Sequence, residues 1–215
     1  MGEVIKVSQP GAIEKAVEVL QRGGVVAFPT DTVYGVAAHG LMTSAVARLF
    51  QVKGRPLDRA IPLLLADPQD LDQVARDIPP LARELADLFW PGPLSLVLWA
   101  KPDLPPEVTA GGQTVAVRIP DHDVPQELAR LLGAPLAATS ANRSGGTESS
   151  TAEEVLRQIG DAVDIIVDGG PCPGGVPSTV LDLTTDPPRI LRQGPVTHAM
   201  LVDLIPHVRL VSGRA

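Results

Sequence analysis

Short apolar runs alternate with helix-spaced apolar patterns along this whole 215-residue chain, and that alternation constrains the fold more than any other feature. Segment 4–7 reads as a short strand. Residues 11–22 follow as a helix, with Ile13, Ala16, Val17 and Leu20 at helical spacing. Gly23-Gly24 ends it. The pattern then predicts a strand at 25–28, a helix from Thr43 to about 52, a strand at 61–66 and helices at 68–76 and 79–89. Strands at 94–100 and 114–119, a helix at 123–132 and a strand at 136–138 come next. A capping box, Thr151-Ala152-Glu153-Glu154, opens a helix to about 159. Strands at 165–167, 180–183 and 190–191 and a helix at 197–205 complete the series. Repeated strand–helix units predict an α/β fold, one domain over 1–215, with a twisted mixed or parallel sheet and flanking helices.

Charge distribution narrows the function. The chain carries net charge −7 and a pI near 5.0. This argues against a broad nucleic-acid face, which needs many Lys and Arg contacts to phosphate. Yet Lys53, Arg55, Arg59, Arg118 and Arg192 fall at element ends beside turn or hydroxyl residues. Thr139-Ser140-Ala141-Asn142 adds hydroxyls and an amide there. Guanidinium and ammonium neutralise a compact anion, and hydroxyls and amides orient it. Ligands of open α/β sheets bind beyond the carboxyl ends of strands, where most of these residues fall.

One cysteine, Cys172, excludes an internal disulfide and a Cys-based metal site within one chain, and fits a reducing cytosol. No apolar run approaches the ~18 residues of a membrane span, and the N-terminus lacks an apolar leader. These features predict a cytoplasmic protein without a membrane partner. The Gly169–Gly175 stretch lacks the Gly-Lys-Ser/Thr ending of a phosphate-binding P-loop. No Ser-His-Asp or Cys-His set offers a nucleophile.

Six segments, taken in order, resemble one family. They are Pro29-Thr30-Asp31-Thr32-Val33-Tyr34-Gly35, Lys53-Gly54-Arg55-Pro56, Pro91-Gly92-Pro93-Leu94-Ser95-Leu96-Val97, Val117-Arg118-Ile119-Pro120, Ser140-Ala141-Asn142-Arg143-Ser144-Gly145 and Pro177-Ser178-Thr179-Val180. The chain resembles the YrdC-type threonylcarbamoyl-AMP synthases over about residues 10–195, and in length their short single-domain branch. The resemblance implies a basic central cavity. It also implies condensation of L-threonine, bicarbonate or CO2 and ATP, with Mg2+, into threonylcarbamoyl-AMP and pyrophosphate. A separate tRNA threonylcarbamoyl-transferase complex would receive the product.

By the same resemblance, Lys53 and Arg55 act on the transferring phosphates. Thr32, Thr114, Arg118 and Ser178 hold threonine, with Arg118 and Thr32 on its carboxylate. Arg55, Arg59, Ser140, Asn142, Ser149 and Arg192 hold the nucleotide. Where some relatives carry a histidine this chain has Pro62-Leu63-Leu64-Leu65. Lys53 and Arg55 are expected on an exposed extended segment, contributing little to stability. Val33, Val36, Val117 and Ile119 are expected to receive the threonine methyl. Asp31 is expected to organise the substrate loop, and His122 to lie near the site or on the surface. The competing readings are a double-stranded-RNA-binding module, or weak RNA binding beside catalysis, and a carbamoyl-transfer domain.

Overall fold

A computed structural model of the protein describes residues 2–54, 56–173 and 175–211. In chain order the strands and helices are β1 (Glu3–Lys6), α1 (Ala12–Gln21), β2 (Val26–Phe28), β3 (Gly35–His39), α2 (Thr43–Lys53), β4 (Leu63–Leu64), α3 (Leu71–Val74), α4 (Pro80–Phe89), β5 (Leu94–Trp99) and α5 (Pro106–Thr109). They continue with β6 (Thr114–Arg118), α6 (Asp123–Leu132), β7 (Leu136–Ser140), α7 (Ala152–Ile159), β8 (Ile165–Asp168), β9 (Thr179–Asp182), β10 (Arg189–Arg192), α8 (His198–Val202) and β11 (Arg209–Leu210). All eleven strands join one sheet in the order β1-β8-β2-β3-β7-β4-β6-β5-β9-β10-β11. The sheet is mixed: β1–β8, β2–β8, β4–β6 and β5–β9 are parallel, while β2–β3, β3–β7, β4–β7 and β5–β6 are antiparallel.

Alternation along each strand sends side chains to two faces. In β2, Val26 and Phe28 join Ile5, Ala16, Leu20, Leu128 and Val167 on the face covered by α1 and α6. The neighbouring Val25 and Ala27 join Val46, Leu49, Leu85 and Val155 on the face covered by α2, α4 and α7. Helix α2 shows how this burial reaches a charge. Val46, Leu49 and Phe50 form its buried stripe, and Lys53 continues that stripe one turn on. Gly54, at φ 59°, then ends the helix in the left-handed region. Lys53 is therefore buried, with 4% exposure, instead of standing on an exposed extended segment.

Besides α5 and β11, to which the pattern assigns no element, three features differ from the sequence reading. Strand β3 lies in a stretch to which the pattern assigns no element. Gly35-Val36-Ala37-Ala38-His39 has a single β-branched residue, but it pairs on both sides, with β2 and β7. The expected strand at 61–66 narrows to Leu63–Leu64. The capping box of α7 is offset: Thr151 Oγ1 accepts from Glu154 N, while the Glu154 carboxylate accepts from Ser150 N. Among the described residues no helix is long and apolar enough to cross a membrane.

Candidate active site

A cavity of about 460 Å³ lies against the sheet, and every residue lining it comes from a strand or loop. That volume suits a small-molecule site. Its floor follows the period of two: Pro62 and Leu64, Ala116 and Arg118, Ala138 and Ser140, Ser178 and Val180 all face it. Ala60, Ala116 and Ala138 are small and leave the space open.

The cavity has two ends. In register, Leu64 pairs with both Arg118 and Leu136, while Ser140 pairs with Gly35. Arg118 is thus level with Leu136, four residues or roughly 13 Å along β7 from Ser140. The 29–34 loop bridges the ends. Asp31 pairs with Arg118, and Ala141 N donates to Tyr34 O at 2.7 Å.

At the first end, Arg118 is 8% exposed. Its Nε donates to Gly92 O at 2.8 Å, and its Nη2 donates to Asp31 Oδ2. Burial lowers its pKa from the ordinary value, and Asp31 opposes that shift. Asp31 Oδ1 is buried and has no hydrogen-bond partner among the described residues. Arg192, at a register shift in β10, donates from Nε to Ser178 O (3.0 Å) and from Nη2 to Ser178 Oγ (3.1 Å). Ser178 Oγ lies 3.0 Å from Ser95 Oγ.

At the second end, Lys53 Nζ donates to Ser140 O at 2.5 Å and to Asn142 Oδ1 at 3.0 Å. Ser140 Oγ also donates to Asn142 Oδ1, at 2.6 Å. Asn142 Nδ2 donates to Arg143 O and Gly146 O. Lys53 therefore fastens the end of β7 and the turn after it.

The lining residues include Thr32, Ser140, Ser178, Arg118 and Arg192 from the sequence-derived set. Thr114 is not among them, because it sits at the opposite end of β6 from Arg118. Asn142 lies behind the wall. Ser149 is fully buried; its Oγ donates to Ala141 O (2.8 Å) and accepts from Gln158 Nε2 (3.1 Å), so its neighbour Glu148 lines the cavity instead. Arg59 is exposed on the turn before Ala60 and is not a lining residue. Arg55 falls outside the described residues. Of the four residues expected to meet a threonine methyl, only Val33 lines the cavity. Val36, Val117 and Ile119 face the core, and Leu64 and Val180 are the other branched apolar residues among the lining.

Ser95 and Glu148 are lining residues that the sequence reading did not single out. Ser95 stands inside an apolar strand, and a buried hydroxyl there was the available signal. His122 caps α6, its Nδ1 accepting from Val124 N at 3.2 Å. Burial lowers its pKa from the ordinary histidine value, with Asp123, Asp31 and Asp121 opposing. Tyr34 donates to Gly170 O at 2.8 Å, and burial pushes its pKa up to about 12. Cys172 Sγ accepts from Thr30 N at 3.4 Å; burial raises the thiol pKa, which makes it a poor nucleophile.

A mixed sheet with a small-residue floor and guanidiniums at one end defines an α/β protein with a small-molecule-sized cavity that could take an anionic group. Comparison with known proteins gives the family. The Sua5/YciO/YrdC family profile, described as telomere recombination, matches residues 18–194. The threonylcarbamoyl-AMP synthase of Bacillus subtilis is 42% identical over 202 residues, covering 94% of this chain and 58% of that protein. A putative threonylcarbamoyl-AMP synthase of Mycobacterium tuberculosis is 39% identical over 193 residues, covering 90% of this chain and 88% of that protein. The crystal structure of P. abyssi Sua5 complexed with L-threonine superposes with a TM-score of 0.92 at 38% identity, covering 98% of this chain and 62% of that one. The chain belongs to the Sua5/YciO/YrdC family. It spans less than two thirds of the Bacillus subtilis and P. abyssi relatives.

Proposed function

We propose that this chain is a threonylcarbamoyl-AMP synthase. Threonine's neutral amine adds to CO2 with loss of a proton, or to bicarbonate with loss of water, and forms a carbamate. The carbamate oxygen then attacks the α-phosphorus of ATP, and pyrophosphate departs with the electron pair of the broken P–O bond. The product is passed to a tRNA threonylcarbamoyl-transferase complex, in keeping with a cytoplasmic enzyme. No protein nucleophile is required, so catalysis rests on positioning and charge stabilisation.

The observation that carries this reading is the buried Arg118 guanidinium held at one end of the cavity with Arg192 nearby. A fixed guanidinium in a low-dielectric wall suits a carboxylate or phosphate oxygen. The relatives' names and the threonine complex of the P. abyssi protein support the choice of substrates.

Among the described residues no group of three or more His, Cys, Asp or Glu could hold a metal ion. Mg2+ enters this reading as part of the ATP substrate, held by its phosphates and water. The test is incubation with L-threonine, bicarbonate, ATP and Mg2+. Mass spectrometry should find the adenylate together with one pyrophosphate per turnover; ATP hydrolysis without the adenylate would refute the reading.

A further inference from the structure

We propose that the β10–β11 edge of the sheet is a docking surface for an acidic segment of a partner protein, which adds to β11 as a further strand. Neither Arg189 nor Arg209, the residues at its centre, lines the cavity, so this surface is distinct from the site described above.

The sheet has two edges, β1 and β11, and they treat charge differently. On β1, Glu3 accepts from Lys15 of α1 at 2.6 Å. On β10 and β11, Arg189 and Arg209 stand opposite each other in register, and both are exposed. Among the described residues neither forms an ion pair, whereas Arg48, Arg76, Arg83, Arg118 and Arg157 each lie against a carboxylate. Asp182 is opposite Arg189 on β9, but its Oδ1 accepts from Thr184 N (2.8 Å) and Thr184 Oγ1 (2.6 Å). Like charges opposite one another on neighbouring strands repel, so this edge calls for an anion.

The backbone of the edge is open as well. Arg209 N donates to Pro188 O at 2.9 Å, and Val211 N donates to Ile190 O at 3.0 Å. The intervening Leu210 therefore turns its N–H and C=O away from β10, and among the described residues no strand lies on that side. Such an edge is a template for pairing with another chain. Leu210 and, on β10, Leu191 also carry exposed side chains.

Charge, free backbone groups and apolar side chains together select the occupant. A second copy of this chain would set Arg209 against Arg209 and add to the repulsion. A nucleic-acid backbone would supply charge but neither strand-pairing groups nor apolar cover. An extended peptide that alternates acidic and apolar residues supplies all three. Its main chain bonds to Leu210, its carboxylates fall on the arginine face, and its apolar side chains fall on the other. The arginine face is also the cavity face, because Arg189 is opposite Asp182, two residues along β9 from the lining residue Val180.

Fluorescence anisotropy with a labelled eight-residue peptide alternating glutamate and valine tests the proposal. Wild type should bind it, and raising the salt from about 50 to about 500 mM should weaken binding severalfold. Arg189→Glu combined with Arg209→Glu should weaken binding by roughly 10-fold or more, while the melting temperature of the free protein moves little. The same peptide with lysine in place of glutamate should not bind. In wild type the peptide should slow hydrogen exchange of the Leu210 amide by roughly 10-fold or more, a change that charge attraction without strand pairing would not produce. A peptide that fails to bind, or binds without protecting Leu210, overturns the proposal. Tighter binding of oligouridylate through the same arginines also overturns it and makes the edge a phosphate surface. Sedimentation showing that the free protein closes this edge by dimerising overturns it as well.

Discussion

Arg118 and Lys53 are both buried cations, but Arg118 lines the cavity whereas Lys53 stands behind it and holds the lining residue Ser140. Arg118 faces a carboxylate and a carbonyl, and the other carboxylate oxygen has no hydrogen-bond partner among the described residues. Lys53 reaches neutral oxygens of Ser140 and Asn142 and so joins a helix end to a strand end. Arg118 is tied to an opposite charge, and Lys53 ties two elements together. A buried ion pair is costly to break, because the remaining charge keeps its desolvation penalty. The buried Lys53 ammonium contributes through its hydrogen bonds to Ser140 and Asn142.

The largest effect is expected for Arg118→Ala. It leaves Asp31 charged and buried without its guanidinium, a loss of about 3–5 kcal/mol on the scale of buried pairs. Thermal melting should show a fall of roughly 10 °C or more. Adding Asp31→Asn should recover much of that stability and none of the threonine affinity. If the double variant is no more stable than Arg118→Ala, the two ends do not differ as described.

Lys53→Ala should cost less, about 2–3 kcal/mol for its charged hydrogen bonds. Here the structure reverses the expectation of a neutral effect on stability. An exposed lysine would contribute a few tenths of a kcal/mol, whereas this one holds Ser140 and Asn142. Turnover should fall together with melting temperature, measured on one preparation. An unchanged melting temperature would return Lys53 to a purely functional role.

What the sequence made legible follows from which forces are local. Helix α6 matches its predicted span, because His122, the 3.6-residue pattern and Gly133 all act within a few residues. The burial of Lys53 was also open to reading, since it follows Val46, Leu49 and Phe50 in phase and Gly54 stops the helix. The pairing of Asp31 with Arg118 was not, because it joins positions 87 residues apart. The hydroxyl contacts of Thr30 with Val33 O and of Ser140 with Asn142 exist only once the loops are folded. The apolar residues that line the cavity differ from the expected set by one step in strand phase. Val117 and Ile119 flank Arg118 and so point away from it.

That corrected wall sets the third expectation. Val33, Leu64 and Val180 face the cavity, so threonine should be preferred over serine by the burial of one methyl, about 1 kcal/mol or severalfold in kcat/KM. Leu64→Ala should narrow the preference, whereas Val117→Ala should leave it unchanged. Equal narrowing by both would mean that the cavity reads the methyl through the core.

The smallest effect concerns pH and belongs to the Arg118 end alone. His122 lies four residues beyond Arg118 and caps α6 through the lone pair of Nδ1, which exists only when that nitrogen is unprotonated. Burial depresses its folded pKa below the ordinary histidine value. As pH falls, the unfolded chain takes up this proton before the folded one does. The stability from neutral His122 is therefore fully present above the ordinary value of about 6.5, and is lost as pH drops through the lower folded value. His122→Asn keeps a cap acceptor that does not titrate. Its melting temperature should fall less than that of wild type between pH 7.5 and 5. His39, whose pKa burial also lowers, is present in both proteins, so the difference isolates His122. His122→Ala at pH 7.5 should cost about 1 kcal/mol, the usual worth of an N-cap. Parallel pH profiles in wild type and His122→Asn would show that the cap does not depend on the proton, and the Arg118 end would then lack the pH sensitivity that sets it apart from the Lys53 end.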